Sequence, residues 1–207
     1  MSDQVMLTSI DGPMLAEAFP SEYQSAAMSA GNAAACLLTR RQWTERFPVE
    51  VGAQCVLIPA RLHFTTDRLS LTESEEAWPF ARALQTRSND GFERQRAARD
   101  LLADLQPWGA PFIVALIGEY VVEILDDILA ALTPELARTL GAFVIGNQAY
   151  WNTTKRRVTS YWNVYYRARW LNEHGRAERR DEFAGFRLLQ QVETAAFRAV
   201  PGSTDGA

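Results

Sequence analysis

The chain has 207 residues, 47% of them hydrophobic, with six Trp and a formal net charge of −4. That is enough apolar material for one domain of ordinary size with a real core, and it excludes wholesale disorder. The acidic balance excludes a polyanion binder that works by bulk charge. Two cysteines, Cys36 and Cys55, with no C-x-x-C spacing exclude a disulfide framework.

In chain order, residues 1–12 read as a flexible tail. They are acidic and lack the apolar run of a signal peptide, so a cytoplasmic protein is expected. Residues 13–19 read as a short helical turn. Ser21 reads as the N-cap of a helix that stops before Pro48. It is rich in small residues (Ala26, Ala27, Ala30, Gly31, Ala34) that let a second helix approach closely. Residues 49–66 are β-branched and interrupted by Gly52 and Pro59. They predict two short extended pieces near 54–58 and 61–64, forming a small hairpin.

From Thr72 onward the pattern is helical. Thr72-Glu73-Ser74-Glu75 has capping-box form and predicts a helix to about residue 85. Asp90-Gly91-Phe92-Glu93 repeats the signal and predicts a helix over 90–105. After the Pro107–Pro111 break, residues 111–132 predict one helix, apolar on every side in its first half. Glu119, Glu123 and Asp126 then share a face. The segment is long enough to cross a bilayer, but four carboxylates from Glu119 onward make that costly. Thr133-Pro134-Glu135 starts the next helix, which ends near Gly146-Asn147. A long helix over 150–172, closed by Gly175, and a last one over 177–199 follow. Residues 200–207 read as a disordered tail.

The expected fold is therefore all-α: an irregular antiparallel helical bundle or short helical-repeat-like array, with a minor extended segment near 49–66. It forms a single mainly helical domain over 13–199 between the two tails. Residues 90–102, DGFERQRAARDLL, resemble the second-helix pattern of HEAT-type repeats, once only. The resemblance implies a protein-interaction scaffold.

Arg94 lies on the apolar stripe Ala98, Leu101, Leu102, Leu105, one turn before Ala98. An inward Arg needs a carboxylate, and Glu119 or Glu123 of the next helix is the expected partner in a structural ion pair. The alternative is that Arg94 snorkels to solvent. Glu119 and Glu123, spaced i,i+4, also read as a general acid/base pair. No Glu-x-x-His pattern accompanies them, and His63 and His174 stand apart, so neither a metal nor another cofactor is expected.

In the 150–172 helix, Trp151, Val158, Trp162, Tyr165 and Arg169 fall on one stripe, flanked by Tyr161 and Tyr166. Lys155 and Arg157 border it, while Arg156 and Arg167 point the other way. Residues 151–180 carry eight basic against two acidic side chains. That local excess of +6 leaves −10 on the rest of the chain. Aromatics interleaved with Arg can stack on bases and grip phosphates, which makes Arg156, Arg157, Trp162, Tyr165, Arg167 and Arg169 the candidate binding residues. At helical spacing the same aromatics also read as core, and the cations as partners for the acidic helix. Twenty of the 21 basic residues are Arg, the composition of a GC-rich bacterial genome or of a need for bidentate pairing.

G-x-S-x-G, Walker A, a Gly-rich dinucleotide turn and H-E-x-x-H are all missing. The leading expectation is a non-enzymatic interaction or scaffold protein with a protein partner and no membrane association. The alternative is a nucleic-acid-binding protein using residues 151–180. A second alternative is a hydrolase built on Glu119 and Glu123.

Overall fold

The computed structural model describes residues 10–39, 42, 44–65, 74–167 and 179–199. The chain is mainly helical with one small two-stranded sheet, and it divides into two compact units, Met1–Leu101 and Leu102–Ala207. Among the described residues, no single helix is long and apolar enough to cross a membrane.

In the first unit, α1 (Gly12–Ala16) is the short helix expected at 13–19. Asp11 caps it, its Oδ1 accepting from Met14 N at 2.9 Å. A 3-10 turn at Ser21–Tyr23 leads into α2 (Gln24–Cys36), which packs on α1 and buries Ala27, Ala30, Gly31 and Ala34. The small-residue face permits that approach: a Cβ on Gly31 would sit 2.4 Å from Gly12 O. Ser21 is not the N-cap of the helix. Tyr23 holds that position, Pro20 precedes the 3-10 turn, and Ser21 N donates to Gln54 Oε1 at 2.8 Å.

The helix expected to run on to Pro48 stops at Cys36. Pro48 lies inside a strand, β1 (Arg46–Val51), paired antiparallel with β2 (Gln54–Pro59). Pro48 faces Leu57, whose N–H points away and donates to Glu17 O at 2.9 Å. The missing proline donor therefore costs no ladder bond. Gly52 takes the positive φ of 61° at the two-residue turn. Val49 and Val51, and Val56 and Ile58, bury alternate positions. The second extended piece expected at 61–64 is not a strand. Leu62 and Phe64 make isolated bridges to Ser88 and Leu38.

A 3-10 turn at Glu75–Ala77 precedes α3 (Trp78–Gln85), with Ser74 Oγ accepting from Glu76 N. The Thr72 and Glu73 half of that expected box lies outside the described residues. Asp90 does cap α4 (Gly91–Leu102), accepting from Phe92 N and Glu93 N at 2.8 and 3.2 Å. Glu93 does not close the box. Its carboxylate takes the Ser88 hydroxyl and the Gln85 amide instead. The helix ends at Leu102, short of 105.

The second unit surrounds α5 (Ala110–Ile117), every residue of which is buried. Around it pack α6 (Val122–Ala131), α7 (Pro134–Gly146), α8 (Gln148–Tyr161) and α9 (Ala184–Ala199). Thr133 caps α7 as expected, accepting from Leu136 N at 3.1 Å. The single helix expected over 111–132 is two. It breaks at Gly118 and resumes at Val122, because Gly118 and the β-branched pair Val121-Val122 are weak helix formers. The i,i+4 relation of Glu119 and Glu123 is lost with it. α8 begins at Gln148 and passes into a π-turn at Trp162–Tyr166, and α9 begins at Ala184 rather than 177. The far end of the expected 150–172 helix lies outside the described residues.

Candidate interaction face

The first half of α8 is anchored. Trp151, Thr154 and Val158 form its buried stripe. Trp151 Nε1 donates to Glu193 Oε1 at 3.1 Å, and Lys155 Nζ meets the same oxygen at 2.9 Å, tying α8 to α9.

The second half behaves differently. Arg167 N donates to Trp162 O at 2.8 Å, an i→i+5 bond that gives the π-turn one residue more than an α-turn. Each residue of an α-helix advances about 100°, so the extra one turns the later side chains away from the stripe that regular spacing predicts. Tyr166 takes the core position. Its hydroxyl donates to the Tyr120 carbonyl, and its ring lies 4.8 Å from that of Phe183. Tyr165, expected on the buried stripe, is turned out, 39% exposed.

Tyr165 joins a cluster. Its ring centroid is 5.7 Å from Tyr120 and 6.1 Å from Tyr161, and Tyr120 and Tyr161 are 5.8 Å apart. Tyr120 is 48% and Val164 57% exposed. Two irregularities make this ridge. The Gly118–Val121 break presents Tyr120, the π-turn presents Tyr165, and the Tyr166 hydrogen bond to Tyr120 locks one to the other.

Trp162 is half-buried beside the ridge. It packs edge-on against Phe186 at 5.7 Å, and the Arg167 guanidinium lies 5.8 Å from its ring. Its indole N–H is buried and makes no hydrogen bond among the described residues. Arg156 and Arg167 are both exposed as expected, and Arg156 Nη2 donates to Thr153 Oγ1 at 3.0 Å. Arg157 is half-buried against the break, where a Cβ on Gly118 would meet its Cδ at 3.5 Å. Arg169 and Arg176 lie outside the described residues. Arg179 is engaged by Asp181 at 2.8 Å, and that hydrogen bond raises its pKa. Arg180 lies 4.3 Å over Phe186.

Arg94 faces inward and does not snorkel. It is 2% exposed, with Nη1 donating to Ser88 O at 2.8 Å and Asn89 O at 3.1 Å. Arg87, 4% exposed, donates to Pro59 O and Ala60 O at 3.1 and 2.7 Å. Glu119 is buried at the end of α5, 5% exposed. Glu123 is exposed on the first turn of α6, so it is no buried partner for a cation. Nearby Asp126 has its carboxyl pushed up by partial desolvation and by the charges of Glu123 and Asp127, with Arg187 pulling the other way. Among the described residues no group of three or more His, Cys, Asp or Glu is placed to hold a metal ion.

Sequence reasoning missed Tyr120 and Val164. The available signal was Gly118 followed by two valines, the mark of a helix break. No family model, curated protein or solved structure matches the chain.

Proposed function

We propose that the chain is a non-enzymatic, cytoplasmic interaction protein that docks a protein partner on the Tyr120, Tyr161 and Tyr165 ridge. One observation carries this reading: three tyrosines are in mutual contact, with Tyr161 half-buried and Tyr120 and Tyr165 exposed by a helix break and a π-turn. Tyrosine supplies large contact area at low entropic cost and is enriched among the residues that dominate binding energy. The ridge is preorganised, so a partner would not have to order it. π-turns are frequent at functional sites.

The test is site-specific photo-crosslinking in native host extract, with the reactive side chain at Val164 on the ridge or at Asn152 on the exposed side of α8. One partner captured at Val164 alone, and lost in the Tyr120→Ser/Tyr161→Ser background, is the expected result. Equal capture from both positions would overturn it.

A nucleic-acid reading is favoured by one feature, the Arg167 guanidinium beside Trp162 at the edge of the ridge. Stacked aromatics with adjacent Arg suit unpaired bases. That reading predicts binding that weakens steeply with salt and is lost in Arg156→Glu/Arg167→Glu. The protein reading ranks first because Arg179 is already engaged by Asp181 and the chain outside 151–180 carries −10.

A further inference from the structure

On the α7 and α9 side of the second unit, a groove of about 590 Å³ opens at the corner where α6 and α7 meet at 115°. Its walls include Leu132, Pro134, Ala137 and Ala195, and Arg138 and Arg198 also line it. Among the described residues no carboxylate lines it. Both arginines are exposed, and neither has an ion-pair partner among the described residues. The side-chain amides of Gln190 and Gln191, also in the lining, make no hydrogen bond among the described residues. By contrast the Thr133 and Thr194 hydroxyls are used within their own helices.

We infer that this groove is a binding site for a small organic acid: an anionic head held by Arg138 and Arg198, and an apolar body laid along Leu132, Pro134, Ala137 and Ala195. Size and chemistry argue together. The volume falls within the range of small-ligand sites, which are concave, mostly apolar and carry a few convergent polar groups. Its lining on α9 runs from Gln190 to Arg198, about 12 Å of helix. A docked helix would seat only two turns there and an extended peptide about four residues, whereas a small molecule fits whole. Two guanidiniums with no carboxylate beside them among the described residues present a local positive charge, and their planar donors match a carboxylate bidentately. This site is independent of the tyrosine ridge.

The probe is decanoate, titrated calorimetrically into the full chain, with decan-1-ol as the uncharged counterpart. One-to-one decanoate binding is expected, with decanol at least roughly tenfold weaker, since a lost charged hydrogen bond costs about that factor. Arg138→Ala/Arg198→Ala should weaken decanoate by roughly tenfold or more with the melting temperature unchanged, because both side chains are exposed. Ala137→Trp should fill the groove and block binding. No decanoate binding, or binding indifferent to the double variant, would overturn the inference. So would an acidic leucine-containing decapeptide that binds more tightly than decanoate, which would give the groove to a protein partner.

Discussion

The two units treat charge and aromaticity in opposite ways. The first buries arginines: Arg87 and Arg94 lie inside, donating to the carbonyls of Pro59, Ala60, Ser88 and Asn89. The second displays Tyr120 and Tyr165 at its surface. Each placement follows from what the backbone offers. The end of β2 at 59–60 and the turn at 88–89 present carbonyls to the arginines, and a guanidinium has the donors to satisfy several of them. The ridge has no comparable structural employment. A buried cation that donates to main-chain carbonyls is evidence about stability, whereas preorganised aromatic rings facing solvent are evidence about recognition.

If that contrast is right, Arg94→Ala has the largest effect. It strips the buried Ser88 carbonyl and the part-buried Asn89 carbonyl of a charged donor and should destabilise by about 3–5 kcal/mol in urea unfolding. A loss below about 1 kcal/mol would mean that water replaces the guanidinium and that the arginine is incidental. Trp162→Ala comes next, because the side chain is half-buried and packed on Phe186. About 1–2 kcal/mol is expected, less than the about 3–5 of a fully buried aromatic. A loss at the buried-aromatic level would move the ridge's edge into the core.

These effects also mark what the sequence made legible. Caps are local, so Thr133 and Asp90 could be placed on their helices from three or four letters each. The all-α class and Arg94's inward direction followed from spacing in the same way. The break after Ile117 was legible only weakly, in Gly118 and the valines 121 and 122, within a stretch whose apolar spacing otherwise suits one helix. Pro48 looked like a helix stop and is a strand residue opposite Leu57, in a pair that asks for no N–H from either strand. The π-turn had no local signature. It depends on Tyr166 reaching both Phe183 and the Tyr120 carbonyl, contacts 17 and 46 residues away. The ridge therefore lay beyond any reading at regular helical spacing.

A smaller effect sharpens the contrast on the acidic side of the second unit. The Asp126 carboxyl is raised by partial desolvation and by Glu123 and Asp127. The folded chain then binds more protons than the unfolded chain between the ordinary and the raised pKa, so stability falls as pH rises through that window. Asp126→Asn removes this penalty. It should raise the melting temperature slightly at neutral pH, and the advantage should vanish well below the carboxylate range. An equal gain at both pH values would show that packing, not charge, is responsible.

The register of the π-turn is the central claim, and adjacent tyrosines test it. Urea unfolding of Tyr165→Ala and Tyr166→Ala, measured side by side, compares a ring turned out by the extra residue with the ring that takes the core position. Tyr166→Ala should lose about 3 kcal/mol, through its packing on Phe183 and its hydrogen bond to Tyr120. Tyr165→Ala should stay within about 0.5 kcal/mol of the parent, as surface changes do. The reverse order would place Tyr165 in the core and abolish the ridge.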